Sequence, residues 1–166
     1  MNITLGSWKP EDIDLLVKYA NNKKIADKLT DAFPHPYTRN DGLAYIRKIS
    51  SDIPQKVFAI MVDGEPVGSL GIFQKEDVHR KNAEIGYWLA EPFWGRGIIV
   101  QAIKLIVEYG KNTFDINRIY AVPFSNNPAS QRVLEKAGFT LEATLKKALY
   151  KNGEYLDELI YSILFV

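Results

Sequence analysis

Hydrophobic and polar positions along this chain follow two periods, and the period switches several times. Ile3 to Trp8 reads as a strand. Pro10 suits a first helical turn, and Ile13, Leu16, Val17 and Ala20 then recur at helical spacing. A second short helix is expected over residues 22–30. Two prolines make Phe33-Pro34-His35-Pro36-Tyr37 a loop. Thr38 is placed to cap a further helix carrying Leu43, Ile46 and Ile49.

The period then shortens to that of strands. Val57 to Val62 and Val67 to Phe73 read as a hairpin about Asp63-Gly64. A polar loop from Gln74 to Asn82 leads to a strand from Ala83 to Leu89. After Trp94-Gly95-Arg96-Gly97 comes a helix to about Lys111. Ile99, Ala102, Ile103, Ile106 and Gly110 share one face of it, and Gln101, Lys104, Glu108 and Lys111 the other. Arg118 to Val122 is a short strand, and Asn127-Pro128 opens a helix that Gly138 ends. Two last strands, about 139–150 and 155–165, flank a turn at Asn152-Gly153. Hairpins at both ends with βα units between them imply an α/β (α+β) fold, a mixed sheet covered by helices.

Composition adds mainly exclusions. A length of 166 residues fits one domain, 1–166, with no internal repeat or linker. The net charge of +1 gives no global electrostatic case for nucleic acid or an acidic membrane surface. The absence of cysteine excludes disulfides, thiolate metal ligands and a cysteine nucleophile. Met1-Asn2-Ile3-Thr4 lacks a basic segment followed by an apolar run, so no signal peptide is expected. No apolar stretch is long enough to span a bilayer. A cytoplasmic location is the default. His35 and His79 show no zinc-type spacing and no serine–histidine–acid set, so no metal is expected and both read as surface or loop residues.

Three constellations carry candidate chemistry. Trp94-Gly95-Arg96-Gly97 lies between a strand and an amphipathic helix. Glycines there let backbone N–H groups approach a ligand, and the helix N-terminus adds unpaired donors, which together suit a diphosphate. Arg96 can add a charge-assisted contact, although a ligand-free tight turn explains the same four residues. Asn127 can cap the last helix. Ser130 falls on that helix's inward stripe with Val133, Leu134 and Ala137, where a hydroxyl needs a partner or bonds back to its own helix. Glu84, Gly86 and Trp88 share one face of their strand, which leaves Glu84 either paired or poised for proton transfer.

Taken in order, these pieces resemble the GNAT superfamily of N-acetyltransferases, in its RimJ/RimL-like ribosomal-protein branch. The matching segments are Phe33-Pro34-His35-Pro36-Tyr37-Thr38, Ala83-Glu84-Ile85-Gly86-Tyr87-Trp88-Leu89, Trp94-Gly95-Arg96-Gly97, Asn127-Pro128-Ala129-Ser130, Glu135-Lys136-Ala137-Gly138-Phe139, and Asn152-Gly153-Glu154-Tyr155 followed by Asp157. The resemblance implies a mixed, mostly antiparallel central sheet flanked by helices, acetyl-CoA as cosubstrate, and an amine acceptor. It implies that Trp94, Gly95, Arg96, Gly97, Ile98 and Ile99 cradle the coenzyme diphosphate, that the strand end at Leu89 runs beside the pantetheine arm, and that Asn127 and Ser130 face that arm. It makes Glu84 the general base, directly or through water, and it places Phe33, Tyr37, Trp88 and Asp157 around the acceptor.

The chain departs from the family pattern at three sites that bear on mechanism. Trp94 stands where the superfamily often has Gln or Arg, and Ile99 where it often has Gly or Ala. Leu134 stands where many members carry a tyrosine acid. Leucine donates no proton, so Ser130 or water is left to protect the leaving thiolate. The favoured acceptor is a protein or peptide α-amine. A polyamine, an aminoglycoside-like amine and a non-catalytic acetyl-CoA-binding module stay open, as does a monomer or homodimer. Asp27, Asp31 and Glu158 read with Asp157 as surface charges able to attract a cationic amine.

Overall fold

The computed structural model describes residues 1–165. Its elements, in order, are β1 (Ile3–Gly6), α1 (Ile13–Ala20), α2 (Lys23–Ala26), α3 (Arg39–Ile49), β2 (Val57–Val62), β3 (Glu65–Gln74), β4 (Asn82–Leu89), α4 (Ile98–Thr113), β5 (Arg118–Ala121), α5 (Pro128–Lys136), β6 (Thr140–Lys151) and β7 (Glu154–Leu164). Single 3₁₀ turns stand at Pro10–Asp12, Asp77–His79 and Glu91–Phe93. The strands hydrogen-bond in the order β1-β2-β3-β4-β5-β7-β6. β4 and β5, joined by α4, run parallel, whereas the β1–β2, β2–β3, β5–β7 and β6–β7 pairs are antiparallel. The parallel β4–β5 pair needs the crossover that α4 supplies, and the β2–β3 and β6–β7 hairpins are antiparallel through their tight turns; β1–β2 and β5–β7 are antiparallel through longer connections. No helix among the described residues is long and apolar enough to cross a membrane.

The chain divides into two compact units, Met1–Gly71 with Tyr87–Ile98, and Ile72–Gly86 with the chain from Ile99 onward. In the first unit the apolar stripes of α1 and α3 bury Ile13, Leu16, Ala20, Ile46 and Ile49 with Trp8, Tyr37, Ala59 and Trp88. Each such large side chain contributes about 1.5–3 kcal/mol when fully buried. Thr38 caps α3 as its sequence position predicts. Its Oγ1 accepts from Asp41 N at 3.2 Å, and Asp41 Oδ2 accepts from Thr38 N at 2.8 Å, a reciprocal capping box. The helix expected over residues 22–30 is shorter. Asn22 caps α2, and bonds from Lys28 N to Ile25 O and from Leu29 N to Ala26 O tighten the next residues into i→i+3 turns.

In the second unit the inward stripe of α4 buries Ala102, Ile103 and Ile106. A Cβ at Gly110 would stand 2.6 Å from Ile72 Cδ1, so this end of α4 lies tight against β3. β7 is inserted between β5 and β6, which leaves β6 as an edge strand. The β6–β7 register shifts between Leu145 and Leu149, with Lys147 at φ +53° inside the break.

Candidate functional site

In the first unit the end of β4 is fixed by close backbone packing. A Cβ at Gly68 would lie 2.4 Å from Trp88 O and 3.1 Å from Leu89 Cα, so β3 reaches this strand end only with glycine. Ala90 N then donates to Val67 O at 2.8 Å. Beyond it, Glu91 accepts from Lys24 Nζ at 2.7 Å, and this bond leads the causes that hold its carboxyl below the usual range. Trp94 Nε1 donates to Leu89 O at 2.7 Å, which closes the loop onto the strand that precedes it. The Trp94 side chain is still 44% exposed.

Gly95 and Gly97 sit at φ +74° and +75°, the left-handed region that other residues enter at a cost. Their missing Cβ atoms would meet nothing within 4 Å. The glycines therefore serve backbone shape rather than internal packing. α4 starts immediately after them at Ile98, whose side chain is buried and anchors the first turn. Arg96 lies over the Phe93 ring, 5.4 Å from its centroid, and is otherwise exposed. An open left-handed loop leading into a long helix presents unpaired N–H groups and the positive end of the helix dipole, which is what a diphosphate requires.

The aromatic residues expected around the acceptor do gather in this unit. Trp88 stacks on Trp8 with ring centroids 6.2 Å apart and meets the Phe33 edge at 6.0 Å. Phe33 in turn lies 5.3 Å from Tyr37. Tyr37 and Trp88 are buried, and Phe33 is the half-exposed member. Burial also pushes the Tyr37 hydroxyl above its ordinary pKa.

The second unit holds a network of charges on one face of the sheet. The β4–β5 ladder sets Asn82 opposite Arg118 and Glu84 opposite Tyr120. Glu84 Oε1 pairs with Lys75 Nζ at 2.9 Å. The hydrogen bond to Glu84 is the leading cause that raises the Lys75 ammonium, and burial followed by the Glu84 charge raises the Tyr120 hydroxyl. Arg118 donates from Nη1 to Asn82 Oδ1 at 2.8 Å and from Nη2 to Glu142, and its guanidinium stacks on Tyr120 with 4.9 Å to the ring centroid. Gly86 is exposed, with open space where its side chain would stand. A cavity of about 450 Å³ is lined by Lys75, Glu76, His79, Asn82, Arg118, Tyr120 and Ile160.

Strand alternation places Glu84 on its face, but it does not supply Lys75, Arg118 or Tyr120 as neighbours. The alternation of Arg118 and Tyr120 about Ile119 was the available signal. Its partner strand is set by long-range pairing, which no local pattern carries.

α5 begins as its motif predicts, with Asn127 Oδ1 accepting from Ser130 N at 3.3 Å. Ser130 is half-buried and shares its stripe with fully buried Leu134 and with Val133 and Ala137. Asp157 is engaged within the hairpin. Its Oδ1 accepts from Lys147 N at 2.9 Å and its Oδ2 from Lys146 Nζ at 3.3 Å, and the Lys147 bond is the first cause that lowers its carboxyl. Asp157 thus closes the break in β6. His35 and His79 are exposed. No group of three or more metal-ligating side chains forms among the described residues.

The sequence pattern of the acetyltransferase (GNAT) domain family matches residues 2–140. The chain is 38% identical to the uncharacterized N-acetyltransferase YoaA of Bacillus subtilis over 60% of its own length and 55% of that protein. It is 35% identical to the ribosomal-protein-serine acetyltransferase of Escherichia coli K12 over 64% of its length and 59% of that protein. The match to the spermidine N(1)-acetyltransferase of Escherichia coli K12 is 27% identical over 93% of this chain and 81% of the other. The first two matches thus span little more than half of those relatives. Among solved structures, RimL, a ribosomal L7/L12 α-N-protein acetyltransferase in complex with coenzyme A, superimposes with a TM-score of 0.86 at 25% identity, over 99% of this chain and 95% of that one.

Proposed function

Because the chain belongs to the acetyltransferase (GNAT) family, we propose that it transfers the acetyl group of acetyl-CoA to a primary amine, with a protein or peptide α-amine as the favoured acceptor and residues 1–166 acting as one acetyltransferase domain. The observation that carries this reading is the pair of left-handed glycines at the start of α4. In this proposal the N–H groups from Trp94 to Ile99 hold the diphosphate, with Arg96 as an added donor. The strand end at Leu89 borders the pantetheine arm, and Asn127 and Ser130 serve the same arm.

Amide formation needs a neutral amine. An α-amine, with a reference pKa of about 8, is easier to deprotonate than a lysine-type amine at about 10.4, by roughly 3 kcal/mol. That difference favours an α-amine, and the two ribosomal-protein acetyltransferases among the similar proteins support it. The spermidine enzyme supports a polyamine as the second reading. Glu84 accepts the amine proton, directly or through water. The amine nitrogen then bonds to the thioester carbonyl carbon as the carbon–sulfur bond breaks. Direct transfer is the simpler course, because no cysteine is present to hold an acetyl group.

Ser130 is assigned to the departing sulfur. The buried leucine at position 134 leaves no hydroxyl there, and Ser130 alone on that stripe has one. A neutral hydrogen bond is worth about 1 kcal/mol and one to a charged group about 1.5–3, so Ser130→Ala is expected to slow acetyl transfer about five- to a hundredfold. The loss should shrink with an acetyl donor whose thiol is more acidic. An equal loss with both donors would leave Ser130 a structural hydroxyl. The overall reading is tested by turnover of acetyl-CoA against peptide N-termini, polyamines and aminoglycosides. Binding of acetyl-CoA without transfer to any of them would reduce the protein to a coenzyme-binding module.

A further inference from the structure

On the amine-acetylation reading above, we propose that Glu158 is the carboxylate that receives the acceptor's ammonium group. Strand register sets Glu158 on the face that carries Glu84. Glu84 stands opposite Tyr120, and Tyr120 opposite Ser162 on β7. Counting back from Ser162 by twos gives Ile160 and then Glu158 on the same face. The bridge between Phe124 and Glu158 keeps that register unbroken. Ile160, the residue between them on this face, lines the cavity described above.

The cations near Glu84 already have partners. Lys75 is paired with Glu84 and Arg118 with Glu142, while Lys146 pairs with Asp157, which alternation sets on the other face. Glu158 is half-buried, and among the described residues no cation or hydrogen-bond donor meets its carboxylate. Desolvation, then the charge of Glu84, raises its pKa. A partly desolvated carboxylate without a partner is destabilising in a folded protein. An arriving ammonium relieves that cost, and the open space beside Gly86 leaves room on the same face. Glu84, already tied to Lys75, is then left to take the proton while Glu158 holds the cation.

The test uses the protein with coenzyme A bound and three probes in calorimetry. These are a short serine-initiated peptide with a free α-ammonium, the same peptide with an uncharged hydroxyl in its place, and spermidine. Glu158→Gln is expected to weaken whichever amine probe binds by roughly ten- to a hundredfold. It should leave the hydroxyl peptide and the coenzyme unaffected. Glu158→Asp, which keeps the charge, should lose less. The thermal midpoint of Glu158→Gln should stay level or rise, because an unpaired carboxylate has been removed.

Wild-type amine affinity in the Gln variant overturns the assignment. So does an equal loss for the hydroxyl peptide, a collapse of the thermal midpoint, or failure of the wild type to bind either amine. The acetylation reading fails separately. A wild-type protein that binds an amine through Glu158 but never acetylates it keeps the ammonium site and loses the reaction.

Discussion

Glu84→Gln is expected to lower turnover by roughly 10²–10⁴ while coenzyme affinity stays unchanged. Glutamine keeps the shape of the side chain but accepts no proton at working pH. Glu84 occupies the last residue of β4 paired with β5, and Lys75 holds its carboxylate at 2.9 Å. Its position is therefore set by the ladder and the ion pair together. Substitution removes the pairing charge as well as the base. Lys75→Met separates the two effects, because it frees the carboxylate and leaves it able to take a proton, and its loss should be the smaller. Steady-state rates at saturating acetyl-CoA, measured over a range of pH, decide the matter. A Gln variant that turns over like the wild type at every pH removes Glu84 from the mechanism.

Gly97→Asp is the second large effect. The residue sits at φ +75°, where an ordinary side chain costs about 1–2 kcal/mol. Nothing in the protein would clash with the new side chain, so the fold should survive. The carboxylate would, however, stand where the diphosphate is proposed to lie. Repulsion between the added carboxylate and the diphosphate, together with its bulk at that spot, should weaken coenzyme A binding by about a hundredfold or more. Gly97→Ala carries the backbone cost alone, which free and bound protein share, so it should lower stability by about 1–2 kcal/mol and leave coenzyme affinity nearly unchanged. Calorimetry on folded variants checks both. Unchanged affinity in the Asp variant would move the diphosphate away from this loop.

Local signals carried much of the fold. Thr38 with Asp41, Asn127 with Ser130, and the turns at Asp63-Gly64 and Asn152-Gly153 each act over a few residues, and each stands where the sequence places it. Long-range pairing was not legible. Nothing in residues 140–164 says that β7 inserts beside β5 while β6 takes the edge. For the same reason the glycine loop could be read as a candidate anion site from four residues, whereas the neighbours of Glu84 could not. Lys75, Tyr120 and Glu158 reach its face from three other strands or loops. The position of Asp157 in a family motif suggested a role toward the acceptor, and the structure shows its carboxylate bonded to Lys147 N and Lys146 Nζ across a break in register.

The hydrogen bond from the Trp94 indole to Leu89 O has a spectroscopic consequence. Of the three tryptophans, Trp8 and Trp88 are 3% and 8% exposed, whereas Trp94 is 44% exposed. The two buried indoles are expected to emit toward the blue and to be shielded from soluble quenchers. Trp94 supplies the red edge of the emission and the quenchable fraction. The chain thus carries its own fluorescent reporter on the glycine loop, with no label needed, and the quenchable part of the red-edge emission is expected to follow that loop.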